Sequence, residues 1–193
     1  MNRIITISRE FGSGGRTVGK LTAEKLGIPC YDQELLEKIE EKSGFTREYI
    51  QDRGEYTVHG SWFINAFAGR DSTGKSTQDY LWNHQRDVIL ELAEEGPCVI
   101  VGRCADYILR GSADCLRVFI HASMGKRAAR IVQVYGQREE SPEKRLKDKD
   151  QRRRAYYQYY TDTEWGVARN YHIALDSGEL GIERCVDLIS SLY

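Results

Sequence analysis

The chain opens with IITIS at residues 4–8, FGSGGRT at residues 11–17 and an amphipathic run over residues 18–26. The first segment is rich in β-branched residues, which favour a buried strand, and the glycine-rich segment after it predicts a turn that opens a helix. Gly27 predicts the end of that helix, and a second short strand is predicted at Cys30-Tyr31. Glycines in such a turn let backbone N–H groups point inward, and the helix N-terminus adds a partial positive charge. The unit therefore predicts a cradle for nucleotide phosphate.

The glycine-rich loop departs from the usual phosphate-loop pattern G-x-x-x-x-G-K-[ST], and two registers fit it. In the register that we favour, Gly15 is the second glycine, Arg16 takes the lysine position and Thr17 supplies the hydroxyl on the magnesium side, with Glu10 at the first glycine. In the other register Gly14 is the second glycine, Gly15 takes the lysine position and Arg16 the hydroxyl position, and Thr17 follows. Arginine keeps a fixed positive charge and grips two phosphate oxygens. A glycine-rich turn without a ligand is the plainer alternative.

A second stretch, GRDSTGKS at residues 69–76, fits the same pattern letter for letter. The run before it, residues 62–68, mixes alanine and asparagine and lacks the β-branched density of a buried parallel strand. Its surroundings at residues 53–60 are polar and irregular, as in an inserted lobe. Because structural context confirms such a motif, we predict that the N-terminal loop is the phosphate site and keep this loop as the alternative.

Length, charge and cysteine usage narrow the class of protein. The 193 residues suit one α/β domain with a small inserted lobe. A net charge of −1 gives no electrostatic reason to expect nucleic acid or an anionic membrane as a partner. The five cysteines are scattered without a C-x-x-C pair, which indicates reduced thiols, and the four histidines show no metal-ligand spacing. We expect a cytoplasmic protein with neither a nucleic-acid nor a membrane partner.

Short apolar segments alternate with helical patterns along the rest of the chain. Further strands are predicted at residues 98–101, 115–120 and 171–175. Helices are predicted at residues 32–42, 46–52, 77–95, 124–135, 142–154 and 181–192. This alternation predicts a parallel sheet covered by helices on both faces.

Five short motifs lie in order along nearly the whole chain. They are ITISR with GSGGR at residues 5–16, YD at residues 31–32, VIVGR at residues 99–103, DQRR with AYY at residues 150–157, and LDS at residues 175–177. Together they resemble the cytidylate kinase-like branch of the nucleoside monophosphate kinases. The resemblance implies a P-loop fold of three α/β/α layers around a central, mostly five-stranded parallel sheet. It also implies one domain, with the core at about residues 1–44 and 96–193, a small helical insert at about residues 45–95 and a basic helical lid at about residues 138–165.

The resemblance also implies roles for particular residues. In that family the first loop holds the ATP phosphates, which here implies phosphate binding by Gly12, Ser13, Gly14, Gly15, Arg16 and Thr17, with Thr17 on Mg²⁺. The aspartate after the second strand and the arginine after the third bind the acceptor nucleotide, which implies acceptor binding by Asp32 and Arg103. The D-x-x-R segment lies in a lid that closes over the transferred phosphoryl group, here Lys149, Asp150, Arg153 and Arg154. The implied catalytic residues are Arg16, Arg103 and Arg153.

The implied activity is transfer of the γ-phosphoryl group of ATP to a nucleoside monophosphate such as CMP or dCMP. This chain lacks the loop lysine of cytidylate kinases, and Cys104 rather than aspartate follows Arg103, with Asp106 two places on. Two alternatives therefore stay open, a kinase for another small phosphorylated metabolite and a nucleotide-binding regulatory protein with weak turnover. The plainer interpretation of Arg103 is that it forms a structural ion pair. The plainer interpretation of the basic helix is that its charged residues form a solvated face. The tyrosines at 156, 157, 159 and 160, like Trp165, are expected to pack against the core.

Overall fold

The computed structural model describes residues 4–53 and 74–193, and strands alternate with helices along both ranges. The amino-terminal part contains β1 (Ile4–Arg9), α1 (Gly15–Leu26), β2 (Cys30–Tyr31), α2 (Gln33–Ser43) and α3 (Arg47–Arg53). The remainder contains α4 (Thr77–Glu95), β3 (Cys98–Val101), α5 (Ala105–Ile108), β4 (Cys115–His121), α6 (Met124–Tyr135), α7 (Pro142–Thr161), a 3₁₀ turn (Ala168–Asn170), β5 (Ile173–Asp176), α8 (Ser177–Leu180) and α9 (Ile182–Leu192).

The strands form one five-stranded sheet in the order β2-β3-β1-β4-β5, and every pairing is parallel. β1 lies in the centre, where Ile7 is in register with Val101 of β3 and with Val118 of β4. Because all parallel strands end at the same edge, the loops after β1, β3 and β4 meet there. The predicted central five-stranded parallel sheet is confirmed.

Two apolar clusters cover the two faces of the sheet, which completes the three layers. One face packs Ile4 and Ile100 against α2 and α4, through residues such as Leu35 and Ile89. The other packs Ile5 and Ile7 against α1 and α9, through residues such as Val18 and Ile189. All six residues of β1 are buried, as expected for a strand with helices on both sides.

The second half of the region predicted as an insert lies in the main core. α4 begins and ends at the predicted residues, and it contributes Leu81, Val88, Ile89 and Leu92 to the larger apolar cluster. Residues 54–73, which include most of the GRDSTGKS stretch, lie outside the described residues. Within the two described ranges, no helix is long and apolar enough to cross a membrane.

The basic helix α7 is longer than predicted, since it continues past Arg154 to Thr161. Tyr156 and Tyr157, on the added turns of the helix, are buried in the larger apolar cluster, while Tyr159 is exposed. The prediction of core packing is therefore confirmed at Tyr156 and Tyr157 and wrong at Tyr159. Two four-residue helices, α5 and α8, were not predicted because a single turn is too short to show helical periodicity.

Candidate active site

The loop between β1 and α1 has the shape of a phosphate cradle. Gly12 and Gly14 have φ angles of +81° and +82°, which glycine adopts without strain, and Gly14 immediately precedes the first helical residue, Gly15. A Cβ atom on Gly12 would lie 2.8 Å from Cγ2 of Ile131, so the loop packs closely on α6. The backbone path of the loop therefore depends on its glycines.

Side chains from three other elements hold this loop in place. The amide of Phe11 donates to Oδ1 of Asp150 at 2.7 Å, and its carbonyl accepts from Nη1 of Arg127 at 3.1 Å. Arg127 and Asp150 are themselves ion-paired at 2.5 Å and both are buried. Ser177 at the start of α8 donates its hydroxyl to the carbonyl of Ser13 at 2.5 Å. The loop is thus fixed from α6, α7 and α8.

A cleft of about 160 Å³ lies over the loop. Its lining includes Gly12, Gly14, Gly15 and Thr17 of the loop, one carboxylate, Glu10, and four arginines, namely Arg9, Arg16, Arg130 and Arg153. The amino-terminal end of α1 also points its partial positive charge at this position. Such a cleft has the charge and the backbone donors that a phosphate group requires.

The Thr17 hydroxyl at this cleft is an oxygen donor of the kind that magnesium prefers. Thr17 presents a hydroxyl oxygen, which here accepts from Nη2 of Arg130 at 3.0 Å. Among the residues of the two described ranges, no group of three histidine, cysteine or acidic side chains could hold a metal by itself. Mg²⁺ is commonly held by few protein ligands together with phosphate oxygens, and Thr17 would be such a ligand once Arg130 moves to the phosphate.

A larger cleft of about 510 Å³ adjoins the loop cleft, and Arg16 lines both. Its cationic lining residues are Arg16, Arg103, Arg138, Arg145, Lys149 and Arg152, and its acidic ones are Glu140 and Asp148. Six cations against two carboxylates make this cleft strongly electropositive. It suits a ligand that carries phosphate.

Arg16 and Asp32, predicted for the donor and acceptor sides, form an ion pair with each other. Nε of Arg16 lies 3.0 Å from Oδ2 of Asp32, and the Arg16 side chain remains half exposed. Asp32 lies immediately before the first residue of α2. The pair therefore joins the first turn of α1 to the start of α2 at the boundary of the two clefts.

Arg103 lies in a turn of three consecutive residues with positive φ, Gly102, Arg103 and Cys104. The φ angles of +57° and +56° at the two residues with side chains are costly conformations, and such strain is concentrated at functional sites. Arg103 is buried, and its Nη1 donates to the carbonyl of Ile50 at 3.0 Å. It lines the larger cleft and also ties α3 to the end of β3.

Arg145 is a site residue that sequence reasoning did not single out. It lies on α7, is 8% exposed and lines the larger cleft, and its Nη1 has no hydrogen-bond partner among the described residues. A buried guanidinium nitrogen without a partner is energetically costly unless a ligand completes its hydrogen bonds. The sequence offered no signal for it, because Arg145 is one of seven basic residues between positions 144 and 154.

The four residues predicted for the lid do not share one environment. Asp150 and Arg153 are buried, and Arg153 donates from Nη1 to the carbonyl of Arg9 at 3.1 Å. Lys149 is half-buried and lines the larger cleft, whereas Arg154 is exposed and lies over the ring of Trp165. In this structure Asp150 and Arg153 belong to the framework that holds the loop.

The described end of the GRDSTGKS stretch serves as a helix cap. Gly74 has a φ angle of +80°, and Ser76 precedes α4. The Ser76 hydroxyl accepts from the amide of Asp79, and the Asp79 carboxylate accepts from the amide of Ser76 at 2.9 Å. This reciprocal capping box engages the hydroxyl that a phosphate loop would direct at magnesium.

A fully buried carboxyl, Asp106, lies behind the clefts and joins β1 to α7. Ser8 donates to its Oδ1 at 3.0 Å, and the Tyr157 hydroxyl donates to its Oδ2 at 2.7 Å. Burial raises the pKa of Asp106 above its ordinary value of 3.8, although these two hydrogen bonds act in the opposite direction. The raised pKa means that the folded state holds this proton at pH values where the unfolded chain has lost it.

We therefore expect Asp106 to make the protein less stable as the pH rises above 3.8, through the interval up to its raised folded-state pKa. Asp106→Asn keeps the shape of the side chain and should flatten this part of the stability profile. Urea unfolding between about pH 4 and about pH 7 measures the effect. An unchanged slope in the variant would show that Asp106 does not carry the dependence.

The central parallel sheet, the glycine-rich loop after β1 and the cationic clefts at the carboxyl edge of the strands define a P-loop kinase. Residues 4–179 match the cytidylate kinase-like family, and the chain belongs to that family, as the resemblance implied.

Individual relatives agree with this assignment. The chain is 27% identical to a cytidylate kinase of Archaeoglobus fulgidus over 192 residues, which cover 96% of this chain and 91% of that protein. A solved structure of an uncharacterized protein from Eubacterium ventriosum is similar with a TM-score of 0.72 at 27% identity, covering 98% of this chain and 96% of that one. Shikimate kinase from Bacteroides thetaiotaomicron shares the fold, with a TM-score of 0.58 at 19% identity over 98% and 96% of the two chains.

Proposed function

We propose that this protein is an ATP-dependent nucleoside monophosphate kinase that transfers the γ-phosphoryl group to CMP or dCMP. The observation that carries the proposal is the adjacency of two cationic clefts, one over a glycine-rich loop and one large enough for an acceptor, with Arg16 lining both. Two adjoining phosphate sites are what transfer between two phosphorylated ligands requires. Membership of the cytidylate kinase-like family and the similarity to a cytidylate kinase support the choice of acceptor.

On the donor side, the amides of residues 12–17 bind the ATP phosphates. Gly12 and Gly14 allow the backbone to turn its N–H groups inward, and the ties from Asp150, Arg127 and Ser177 keep the cradle formed in advance. Preorganised donors contribute most because they need no rearrangement as charge develops. Magnesium bound to the outer phosphates would neutralise part of their charge, with Thr17 as its protein ligand.

On the acceptor side, the larger cleft binds the monophosphate through its arginines. Arg103 and Arg145 are buried on its wall, where a guanidinium fork forms short, charge-assisted bonds to phosphate oxygens. Asp32, which is 22% exposed, accepts from hydroxyl groups of the acceptor sugar. Gln33 and Gln51 also line the cleft and provide neutral hydrogen-bonding groups for a base.

Phosphoryl transfer needs the two substrates in line and the spread negative charge neutralised. Arg16 lies where the two clefts meet, so its guanidinium can leave Asp32 for the phosphoryl group in transit. Arg153 holds the carbonyl of Arg9 and lines the loop cleft, and it stabilises the donor phosphates from the opposite side. On the same helix, Lys149 faces the larger cleft, whereas Arg154 lies over the ring of Trp165.

A phosphotransfer screen tests the proposal directly. The purified chain is incubated with ATP, magnesium and a panel of nucleoside monophosphates, with shikimate and other small hydroxylated or phosphorylated metabolites included. CMP or dCMP should yield the diphosphate and ADP faster than any other acceptor. Faster transfer to a different acceptor would contradict the assignment of CMP or dCMP as the substrate. ATP binding without transfer to any acceptor would favour the regulatory alternative.

Arg145→Met should raise the KM for CMP by about 10-fold to 100-fold, because one charge-assisted phosphate contact is lost. The KM for ATP should change by less than about twofold, since Arg145 lines only the acceptor cleft of the two. The matched control is Lys144→Met, which removes a charge from an exposed neighbour on the same helix. Steady-state kinetics check both, and an unchanged KM for CMP in Arg145→Met would remove Arg145 from the acceptor site.

A further inference from the structure

The phosphate loop of this chain has a glycine in the lysine position. α1 begins at Gly15 and Gly14 is the residue before it, so the structure favours the register in which Gly14 is the second glycine over the register favoured from the sequence, in which Arg16 takes the lysine position. Counted back through G-x-x-x-x-G-K-[ST], Arg9 then stands at the first glycine, Gly15 at the lysine and Arg16 at the hydroxyl. Thr17 follows the pattern by one residue, and its place beside magnesium rests on its position in the lining of the loop cleft. Relative to the usual pattern, the cation and a glycine have exchanged places.

The side chain of Arg9 lies against this exchanged glycine. A Cβ atom on Gly15 would lie 2.5 Å from Cβ of Arg9 and 2.9 Å from its Cγ, distances that real side chains do not reach. The stem of Arg9 therefore occupies the space in which a side chain at position 15 would begin. Gly15 is required because Arg9 is present, and a lysine at position 15 is incompatible with it.

The local backbone permits the exchange without strain. Arg9 is the last residue of β1 and is paired with Ile120 of β4, so it has the extended conformation that any residue adopts. Its carbonyl accepts from Arg153, which fixes the backbone from which the side chain emerges. Arg9 is 5% exposed and lines the loop cleft together with Gly12, Gly14 and Gly15.

We propose that Arg9 is the phosphate-binding cation of this loop and replaces the missing lysine, reaching the nucleotide phosphates from β1 across Gly15. The proposal rests on the proposed ATP binding at this loop. Arg16 stays at the boundary of the two clefts, where it is paired with Asp32. Arg9 then supplies the fixed positive charge within the loop cleft. An arginine held on a rigid strand keeps its charge and presents a bidentate fork to phosphate.

The test measures ATP and ADP affinity by titration, without any acceptor. Arg9→Met, which keeps the apolar stem, should weaken ATP binding by about 10-fold to 100-fold, the effect of one lost charge-assisted contact. Gly15→Lys alone should also lose binding, because its side chain collides with Arg9. The double variant Arg9→Gly/Gly15→Lys restores the first glycine and the lysine of the usual pattern and should recover affinity to within about threefold to tenfold of the parent chain.

Arg16→Met is the comparison variant, and it should weaken ATP binding less than Arg9→Met does. Wild-type affinity in Arg9→Met, or a larger loss in Arg16→Met, would overturn the inference while leaving ATP binding intact. A parent chain that binds no ATP would overturn the proposed function and the inference together. If the variants fail to fold, the Nε–H resonance of Arg9 in the labelled parent chain decides, since ADP should shift it and an unmoved resonance would contradict the assignment.

Discussion

We expect Asp150→Ala to lower the free energy of unfolding by about 3–5 kcal/mol. Asp150 accepts the amide of Phe11, pairs with the buried Arg127 and lies 4.0 Å from Nη1 of Arg153. Removal of this carboxylate takes a counter-charge from two buried guanidinium groups, although Arg127 keeps Glu10 at 3.4 Å from its Nε. The penalty of a buried charge that has lost a partner exceeds the net contribution of the ion pair itself. The phosphate loop loses its tie to α7 at the same time.

Urea unfolding at neutral pH measures the loss, with Asp87→Ala as the matched control. Asp87 lies on α4 with its side chain half exposed, so its removal should change stability by less than about 0.5 kcal/mol. A loss below about 1 kcal/mol in Asp150→Ala would mean that the buried network is not a support of the fold.

The second large effect is expected at Gly14, where alanine should lower the free energy of unfolding by about 2–5 kcal/mol and abolish nucleotide binding. Gly14 has a φ angle of +82°, and an added Cβ would lie 2.6 Å from Cδ1 of Ile182 and 3.0 Å from Cζ of Arg130. Relief of these contacts must move the ends of the Ile182 and Arg130 side chains, and Arg130 then changes its place in the lining of the loop cleft.

Gly27→Ala separates the two causes. Gly27 also has a positive φ, +66°, but an added Cβ there would meet no atom of residues 4–53 and 74–193 within 4 Å. This variant should lose only the conformational term of about 1–2 kcal/mol and should bind nucleotide as the parent chain does. Thermal unfolding and nucleotide titration measure both variants. Equal losses and equal binding would mean that the cradle tolerates a side chain at Gly14.

The sheet was predictable because local patterns determine it. β1 is a run of buried β-branched residues, β3 is apolar throughout, and α4 and α6 have the helical periodicity and end signals that set their bounds. The predicted α7 ended too early, at residue 154, because its run of charged residues is followed by tyrosines. The burial of these tyrosines depends on tertiary packing, which sequence periodicity does not report.

The site was less predictable because its side chains meet over long separations in the chain. Arg127 reaches Phe11 across 116 residues and Asp150 across 23, and nothing in the sequence around Arg127 marks it as a support of the loop. The exchange of Arg9 and Gly15 could also be recognised only from the structure, because the close approach of the two residues is what explains the departure from the usual sequence pattern.

The central claim is that the loop between β1 and α1 binds the nucleotide phosphates, although residues 69–76 match the usual pattern more closely. A crystal structure with ADP and magnesium tests it most directly. We predict that the β-phosphate lies on the amides of residues 12–17, with Arg9 and Arg16 beside it. Phosphate bound at Gly74, Lys75 and Ser76 instead would contradict the account.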